Sequence, residues 1–168
     1  MFIFAMRKDK DFMNKELIIK YQEFDSVADL CESDRELVQC AVAAAEGAYA
    51  PYSCFHVGAA LRLKDGTVVL GSNQENMAYP SGLCAERTAV FAASAQRPEM
   101  RDYEALAIVG RDGEGMLCEA SPCGACRQVL SEYEQRQGHP MRVVCYLEGG
   151  RVRVLPSVAS LLPFSFDF

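Results

Sequence analysis

The sequence predicts a layered α/β domain with a mixed sheet, because helical patterns alternate along the chain with segments typical of strands. Residues 33–50 are rich in helix formers, and helical patterns recur over residues 84–96 and 123–137. Asp65 and Gly66 form a tight-turn signal between two apolar runs, which indicates a hairpin. Helices that separate strands cover the faces of a sheet, so a single layered domain is expected.

The ends of the helices follow from their flanking residues. Ser33 and Glu36 have the spacing of a capping box, which predicts that the first helix begins at Ser33. Pro51 ends this helix, because proline lacks an N–H donor and restricts the residue before it. Pro122 fits the entry to the helix over residues 123–137.

The predicted strands are short and rich in apolar or β-branched residues. They lie at residues 17–21, 55–63, 67–71, 105–109, 141–147 and 151–155. From residue 33 the order is helix, hairpin, helix, strand, helix and hairpin, and a short last helix is expected over residues 157–162. We expect residues 1–32 to form a partly ordered N-terminal extension and residues 33–168 to form one domain.

Composition excludes two classes of protein. The chain has 168 residues and a net charge of −6, so no excess of basic side chains is available to neutralise the phosphates of a nucleic acid. No apolar run approaches the roughly 18 residues of a membrane-spanning helix. Residues 1–6 do not read as a secretory signal, so a cytoplasmic protein without membrane or nucleic-acid partners is expected.

The cysteine spacing predicts a metal site. Cys123 and Cys126 form a Cys-x-x-Cys pair, and Cys84 supplies a third thiolate. Three protein ligands leave the fourth tetrahedral position of a zinc ion open, which is typical of a catalytic site. Outside this pattern, Cys118 lies in a loop as a spare ligand. The other cysteines are expected to be small buried hydrophobic residues, namely Cys31, Cys40, Cys54 and Cys145.

Two charged residues follow Cys84 and complete the predicted centre. A carboxylate at Glu86 would lie beside the metal and could move protons to and from the reacting groups. The alternative for Glu86 is a first-turn glutamate that only complements the helix dipole. Arg87, or else Arg127, could donate to a metal-bound sulfur, and we favour Arg87 because it directly follows Glu86. The alternative for Arg87 is an ordinary surface arginine.

Four blocks of the sequence resemble the zinc-dependent cytidine deaminases. They are residues 48–61 (AYAPYSCFHVGAAL), 71–91 (GSNQENMAYPSGLCAERTAVF), 122–130 (PCGACRQVL) and 161–166 (LLPFSF). The resemblance covers roughly residues 33–168 and implies a three-layer α/β/α cytidine deaminase-like fold with a mixed five-stranded sheet. It is similar to the small homotetrameric class, in which three cysteines bind Zn²⁺.

The resemblance also implies roles for residues outside the metal motif. Asn73 and Glu75 would hold the ribose hydroxyls, and Phe55 would pack against the pyrimidine. Asn73 and Glu75 alternate along an extended segment, so both side chains should point the same way. The alternatives are a polar strand end for Asn73 and Glu75 and core packing for Phe55. The resemblance further assigns Ala85 to substrate binding.

Two aromatic residues would act across a subunit interface if the resemblance holds. Phe166 matches a phenylalanine that closes the site of a neighbouring subunit in the family, and Tyr79 would also reach across. The chain ends two residues after Phe166, which puts that closure in doubt.

The activity that the resemblance implies is hydrolytic deamination of cytidine and deoxycytidine to uridine and deoxyuridine, a step of pyrimidine salvage. Zinc would make the nucleophile, and Glu86 would manage the protons. Three alternatives remain open. The chain could be a deaminase of an aminonucleoside antibiotic such as blasticidin S, a structural zinc module completed by Cys118, or a redox protein that uses Cys123 and Cys126.

Overall fold

The structure is a computed structural model that describes residues 14–99 and 102–166. Its α-helices are α1 (Glu32–Ala44), α2 (Ala85–Gln96) and α3 (Gly124–Gln137). Its strands are β1 (Gln22–Phe24), β2 (His56–Leu63), β3 (Val68–Ser72), β4 (Tyr103–Arg111), β5 (Leu117–Cys118), β6 (Arg142–Tyr146) and β7 (Val152–Leu155). In the part of the chain described, no helix is long and apolar enough to cross a membrane.

One mixed sheet lies at the centre of the fold, in the order β1-β7-β6-β4-β2-β3. The pair β4 and β6 is parallel, and the other pairs are antiparallel. Alternate residues of β4 face opposite sides of the sheet: Leu106 and Ile108 pack in the cluster that contains α2 residues, whereas Ala105 and Ala107 pack with α1. Leu130 of α3 lies on the α2 side. The predicted three-layer α/β/α class is confirmed.

The sheet has seven strands, so the predicted count of five is wrong. The first additional strand is β1, which pairs antiparallel with β7 through Gln22 and Val154. The second is β5, a two-residue strand that pairs Cys118 with Gly110 at the end of β4. Both strands lie at the margins of the sheet and are too short for a pattern of alternating residues to reveal them.

The predicted strand at residues 17–21 is wrong, because β1 begins at Gln22, just after the end of the predicted strand. The predicted capping box is also wrong. The N-cap of α1 is Cys31, whose side chain makes no capping hydrogen bond. Ser33 lies inside the first turn, and its carbonyl accepts a hydrogen bond of 2.6 Å from Nη1 of Arg62. This contact ties the start of α1 to β2.

The position of α2 depends on a glycine of β3. A Cβ atom at Gly71 would lie 2.4 Å from the carbonyl oxygen of Ala85 and 2.4 Å from the amide nitrogen of Ala89. Any side chain at this position would push α2 away from the sheet. Gly71 thereby allows the first turn of α2, and Cys84 just before it, to lie directly on the sheet.

The cysteines outside the metal pattern are not all buried. Cys145 on β6 is buried as predicted, and Cys40 is half-buried. Cys31 and Cys54 are exposed, so the prediction is wrong for these two residues. Both precede a secondary-structure element at the surface, and Cys54 has a φ of 55°, which belongs to a tight turn before β2.

Candidate active site

The three cysteines of the predicted metal site meet where two helices begin. Cys84 is the N-cap of α2, Cys123 is the N-cap of α3, and Cys126 lies buried in the first turn of α3. Their sulfur atoms all lie within 4.8 Å of one another, and the sulfurs of Cys84 and Cys123 are 3.7 Å apart. The amide groups and dipole of a helix N-terminus favour the thiolate form of cysteine.

The electrostatics of this cluster favour a thiolate. A hydrogen bond from the Cys126 thiol, aided by Arg87, lowers the pKa of Cys84 to about 5. The same hydrogen bond raises the pKa of Cys126, which keeps its proton while it donates to Cys84. Nη2 of Arg87 lies 3.8 Å from the sulfur of Cys84. Arg127 instead donates to the carbonyl oxygens of Pro122 at 2.8 Å and Leu161 at 3.1 Å.

The chemistry of the donor set fits zinc. Thiolates are preferred zinc ligands, and a set of three leaves one tetrahedral position for water or substrate. Within residues 14–99 and 102–166, the side chains able to share one metal ion are the three thiols of Cys84, Cys123 and Cys126. Cys118, the fourth ligand that a structural zinc module would need, lies on β5 and does not belong to this group.

Glu86 lies in the first turn of α2, two residues after Cys84. Its residue exposure is only 3%, although the side chain borders an open pocket. Burial, together with the charge of Cys84, raises the pKa of Glu86 to about 7. A carboxyl group of this kind can both take up and release a proton near neutral pH.

The pocket beside Glu86 joins the metal cluster to the residues that the sequence analysis assigned to substrate. Its volume is about 400 Å³, which is within the range of small-molecule sites. The residues that line it are Ser53, Phe55, Val57, Asn73, Glu75, Cys84, Glu86, Glu119, Ala120, Ser121 and Cys123. The pocket therefore brings together two groups of predicted residues. Phe55, Asn73 and Glu75 are here named the nucleoside side, and the thiol cluster with Glu86 is named the metal side.

Asn73 and Glu75 also hold the loop before β2 in place. Oδ1 of Asn73 accepts a hydrogen bond of 2.7 Å from the amide of Val57, and its Nδ2 donates to the carbonyl of Phe55 at 2.9 Å. Oε2 of Glu75 accepts from the amides of Tyr52 at 2.9 Å and Ser53 at 3.3 Å. Hydrogen bonds from the Ser53 side chain and these amides lower the pKa of Glu75. Sequence reasoning missed this second role, because no local pattern reports contacts across 16–23 residues.

The ring of Phe55 packs against Gly110, a contact that the sequence did not predict. A Cβ atom at Gly110 of β4 would lie 3.0 Å from Cζ of Phe55 and 3.1 Å from the sulfur of Cys118. The ring of Phe55 therefore occupies space that is free because position 110 carries no side chain. The ring is 37% exposed and borders the pocket, so core packing does not describe it.

Three further predicted residues lie away from this pocket. Ala85 is fully buried in the core, so its side chain does not line the pocket. Tyr79 is 75% exposed and packs edge-to-face against Tyr52, with ring centroids 6.0 Å apart. Phe166 is 67% exposed, and its carbonyl accepts a hydrogen bond of 3.1 Å from Gln128. The substrate contact of Ala85 and the cross-subunit roles of Tyr79 and Phe166 stay predictions.

Comparison with known proteins finds several cytidine deaminases that are similar to this chain. A cytidine deaminase from Halalkalibacterium halodurans is 49% identical over 100 residues, which cover 59% of this chain and 71% of the relative. The crystal structure of a cytidine deaminase from Burkholderia pseudomallei has a TM-score of 0.68 and 44% identity, covering 78% of this chain and 97% of that one. The cytidine deaminase structure from Mycobacterium tuberculosis has a TM-score of 0.62 and 38% identity, covering 79% and 96% of the two chains.

The family described as the cytidine and deoxycytidylate deaminase zinc-binding region matches residues 31–141. This range is more than half of the chain, and it contains Cys84, Glu86, Cys123 and Cys126. The sequence match, the shared fold and the cluster of three thiols agree, and the chain belongs to the cytidine and deoxycytidylate deaminase family.

Proposed function

We propose that the protein is a zinc-dependent deaminase that hydrolyses cytidine and deoxycytidine to uridine and deoxyuridine, with release of ammonia. The observation that carries the proposal is the pocket itself. A buried carboxyl group, Glu86, lines the same pocket as two of the three clustered thiols and a set of side chains suited to a nucleoside.

The three thiols hold the zinc ion in this proposal. Cys84, Cys123 and Cys126 are the ligands, and zinc, when bound, acts as a Lewis acid that makes water nucleophilic at neutral pH. Arg87 offsets part of the negative charge of three thiolates by donating to the sulfur of Cys84. Without such a donor, the excess negative charge would weaken the Lewis acid.

Glu86 moves the protons of the reaction. It takes one proton from the attacking water and places it on N3 of the cytosine ring as the oxygen of that water adds to C4. It then takes the second proton from the same oxygen and delivers it to the exocyclic amine. The bond between C4 and that amine breaks, ammonia leaves, and the carbonyl of uridine remains. Burial disfavours the charged form of this carboxyl group, so Glu86 is suited to accept a proton and pass it on.

The nucleoside side of the pocket holds the substrate. Phe55 offers its exposed ring to the pyrimidine, and Asn73 and Glu75 lie at the same side to meet the ribose hydroxyls. The lowered pKa of Glu75 keeps its carboxylate charged at neutral pH. A fixed negative charge repels a nearby phosphate, so we expect nucleosides to be preferred over nucleotides.

We also propose that the enzyme works as a homotetramer in the cytoplasm, in pyrimidine salvage. Exposed aromatic side chains support shared sites between subunits: Tyr79 borders a cavity next to the pocket, and Phe166 is largely exposed at the end of the described chain. Large exposed apolar side chains near a site are typical of a surface that another subunit covers. Met77 and Phe164, each two residues from one of these aromatic residues in the sequence, are 84% and 95% exposed.

The test is a spectroscopic assay of the zinc-loaded protein. Addition of cytidine or deoxycytidine should lower the ultraviolet absorbance of the substrate, whereas cytidine monophosphate and blasticidin S should react much more slowly. The Glu86→Gln variant should keep its zinc and lose turnover by about 10³-fold. Glu132→Gln, at an exposed glutamate of α3, is the control and should behave like wild type. Near-normal turnover by Glu86→Gln would refute the proposal.

A further inference from the structure

A short apolar segment just before β1 has no strand partner within residues 14–99 and 102–166. Residues 16–20, here named the overhang, read Glu-Leu-Ile-Ile-Lys and lie outside the family match at residues 31–141. Leu17, Ile18 and Ile19 are 59%, 73% and 42% exposed. Three consecutive large aliphatic residues are typical of a β-strand, yet residues 16–20 do not form one.

The reason is that the neighbouring strand ends too early. β1 runs antiparallel to β7, with Gln22 opposite Val154, so the register places the overhang beyond the end of β7 at Leu155. Pro156 follows there and has no N–H group to offer. Across the described residues, no backbone hydrogen bond involves residues 14–20. The overhang therefore presents an unpaired edge that continues β1.

The sequence of the overhang is complementary to itself. If two copies pair antiparallel about a twofold axis at Ile18, Glu16 of each copy lies opposite Lys20 of the other. Leu17 then lies opposite Ile19, and Ile18 lies opposite its counterpart. Moving the axis to Leu17 or Ile19 removes both pairs of opposite charges. One register thus places an apolar centre between two ion pairs.

We propose that the overhang is a self-association site, in which two copies of this chain pair as antiparallel strands about Ile18. A second copy is the favoured partner because, in the antiparallel pairing, each charged residue of the overhang faces the opposite charge and each apolar residue faces an apolar one. The pairing extends the central sheet of each copy through β1, and it satisfies backbone groups of the overhang that make no backbone hydrogen bond to the described residues of their own chain. This inference does not depend on the proposed function.

Charge exchange tests the register. Glu16→Lys and Lys20→Glu each place two like charges opposite each other, and we expect each variant to self-associate about tenfold more weakly than wild type in sedimentation equilibrium. The double variant restores both ion pairs and should come within about twofold of wild type. An equimolar mixture of the two single variants should also associate. Equal association of all variants, or a double variant as weak as the single ones, would overturn the proposal.

Photo-cross-linking identifies the contact directly. With Ile18 replaced by p-benzoylphenylalanine in the full chain, irradiation should give a covalent dimer, and peptide mass spectrometry should place the adduct on residues 17–19 of the second chain. The same probe at Met116, which is 64% exposed on the β4–β5 hairpin, is the control and should not label those residues. Adducts confined to residues 1–13, or to another protein surface, would contradict the proposal. Cytidine turnover of Glu16→Lys should stay within about twofold of wild type, because the overhang contributes no residue to the pocket.

Discussion

The two sides of the pocket are built in different ways. On the metal side, Cys84 and Glu86 lie at the start of α2, and Cys123 and Cys126 lie at the start of α3. Short stretches of sequence fix these positions, because both helices begin within a residue or two of a ligand. On the nucleoside side, Phe55 belongs to a loop whose place depends on residues far along the chain.

Burial and hydrogen bonding follow the same division. Cys126 and Glu86 are 0% and 3% exposed, and the close approach of α2 to Gly71 fixes the helix on the sheet. Phe55 is 37% exposed, and hydrogen bonds to Asn73 and Glu75 hold its loop. Packing therefore holds the buried part of the metal side, although Cys84 is only half-buried and Cys123 is exposed, whereas polar contacts hold the nucleoside side. Substitutions should abolish activity on the first side and change substrate affinity on the second.

The largest effect is expected at Cys126. Cys126→Ala removes one of three thiolates and leaves a methyl group that the first turn of α3 can accept. Zinc affinity should fall by more than about 100-fold, and turnover of cytidine should fall with it. Metal analysis of the purified protein and the absorbance assay measure the two losses.

Cys145→Ala is the matched control for this prediction. Cys145 is equally buried, at 1% exposure, but it lies on β6 and outside the metal group. This variant should keep its zinc and its activity. Full zinc retention by Cys126→Ala would show that the first turn of α3 does not supply a ligand, and the contrast between the two sides would fail.

The same division explains what sequence could predict. The Cys-x-Glu and Cys-x-x-Cys spacings correctly anticipated a thiol cluster at two helix N-termini, because helix geometry links residues a few positions apart. The pairing of Glu75 with the amides of Tyr52 and Ser53 had no such signal. The contact between Phe55 and Gly110 had no local signal either, because it arises from the pairing register of β2 with β4.

Residues 17–21 show the converse case, in which a local sequence pattern predicts a strand that the structure does not form. Residues 17–21 have the composition of a strand, but a strand needs a neighbour to accept its hydrogen bonds. β7 ends at Leu155, so only Gln22–Phe24 finds one. Composition can therefore identify a segment able to form a strand, and the length of a distant strand decides which part of it does so.

A smaller effect is expected at Gly110, against which the ring of Phe55 packs. Gly110→Ala places a methyl group 3.0 Å from the ring, which must move toward the pocket. We expect KM for cytidine to rise about fivefold and kcat to change less than about twofold, because the metal side stays intact. Gly47→Ala, whose Cβ would lie 3.3 Å from a hydroxyl of Ser72, is the control for a crowded glycine elsewhere. A fall in kcat without a change in KM would contradict the role of Gly110 in placing Phe55 for substrate binding.

The smallest effect is expected in the pH dependence of stability. Hydrogen bonds hold the pKa of Glu75 below its ordinary value, so the folded state favours the carboxylate more than the unfolded state does. This stabilisation is present above the ordinary pKa and is lost as the pH falls through the lowered one. Glu75→Gln should therefore have a lower Tm than wild type at pH 7, and the gap should close toward about pH 3. Calorimetry of both proteins across this range measures the gap, since other titrating groups are common to the pair. A gap that is independent of pH would mean that the charge of Glu75 does not hold the loop.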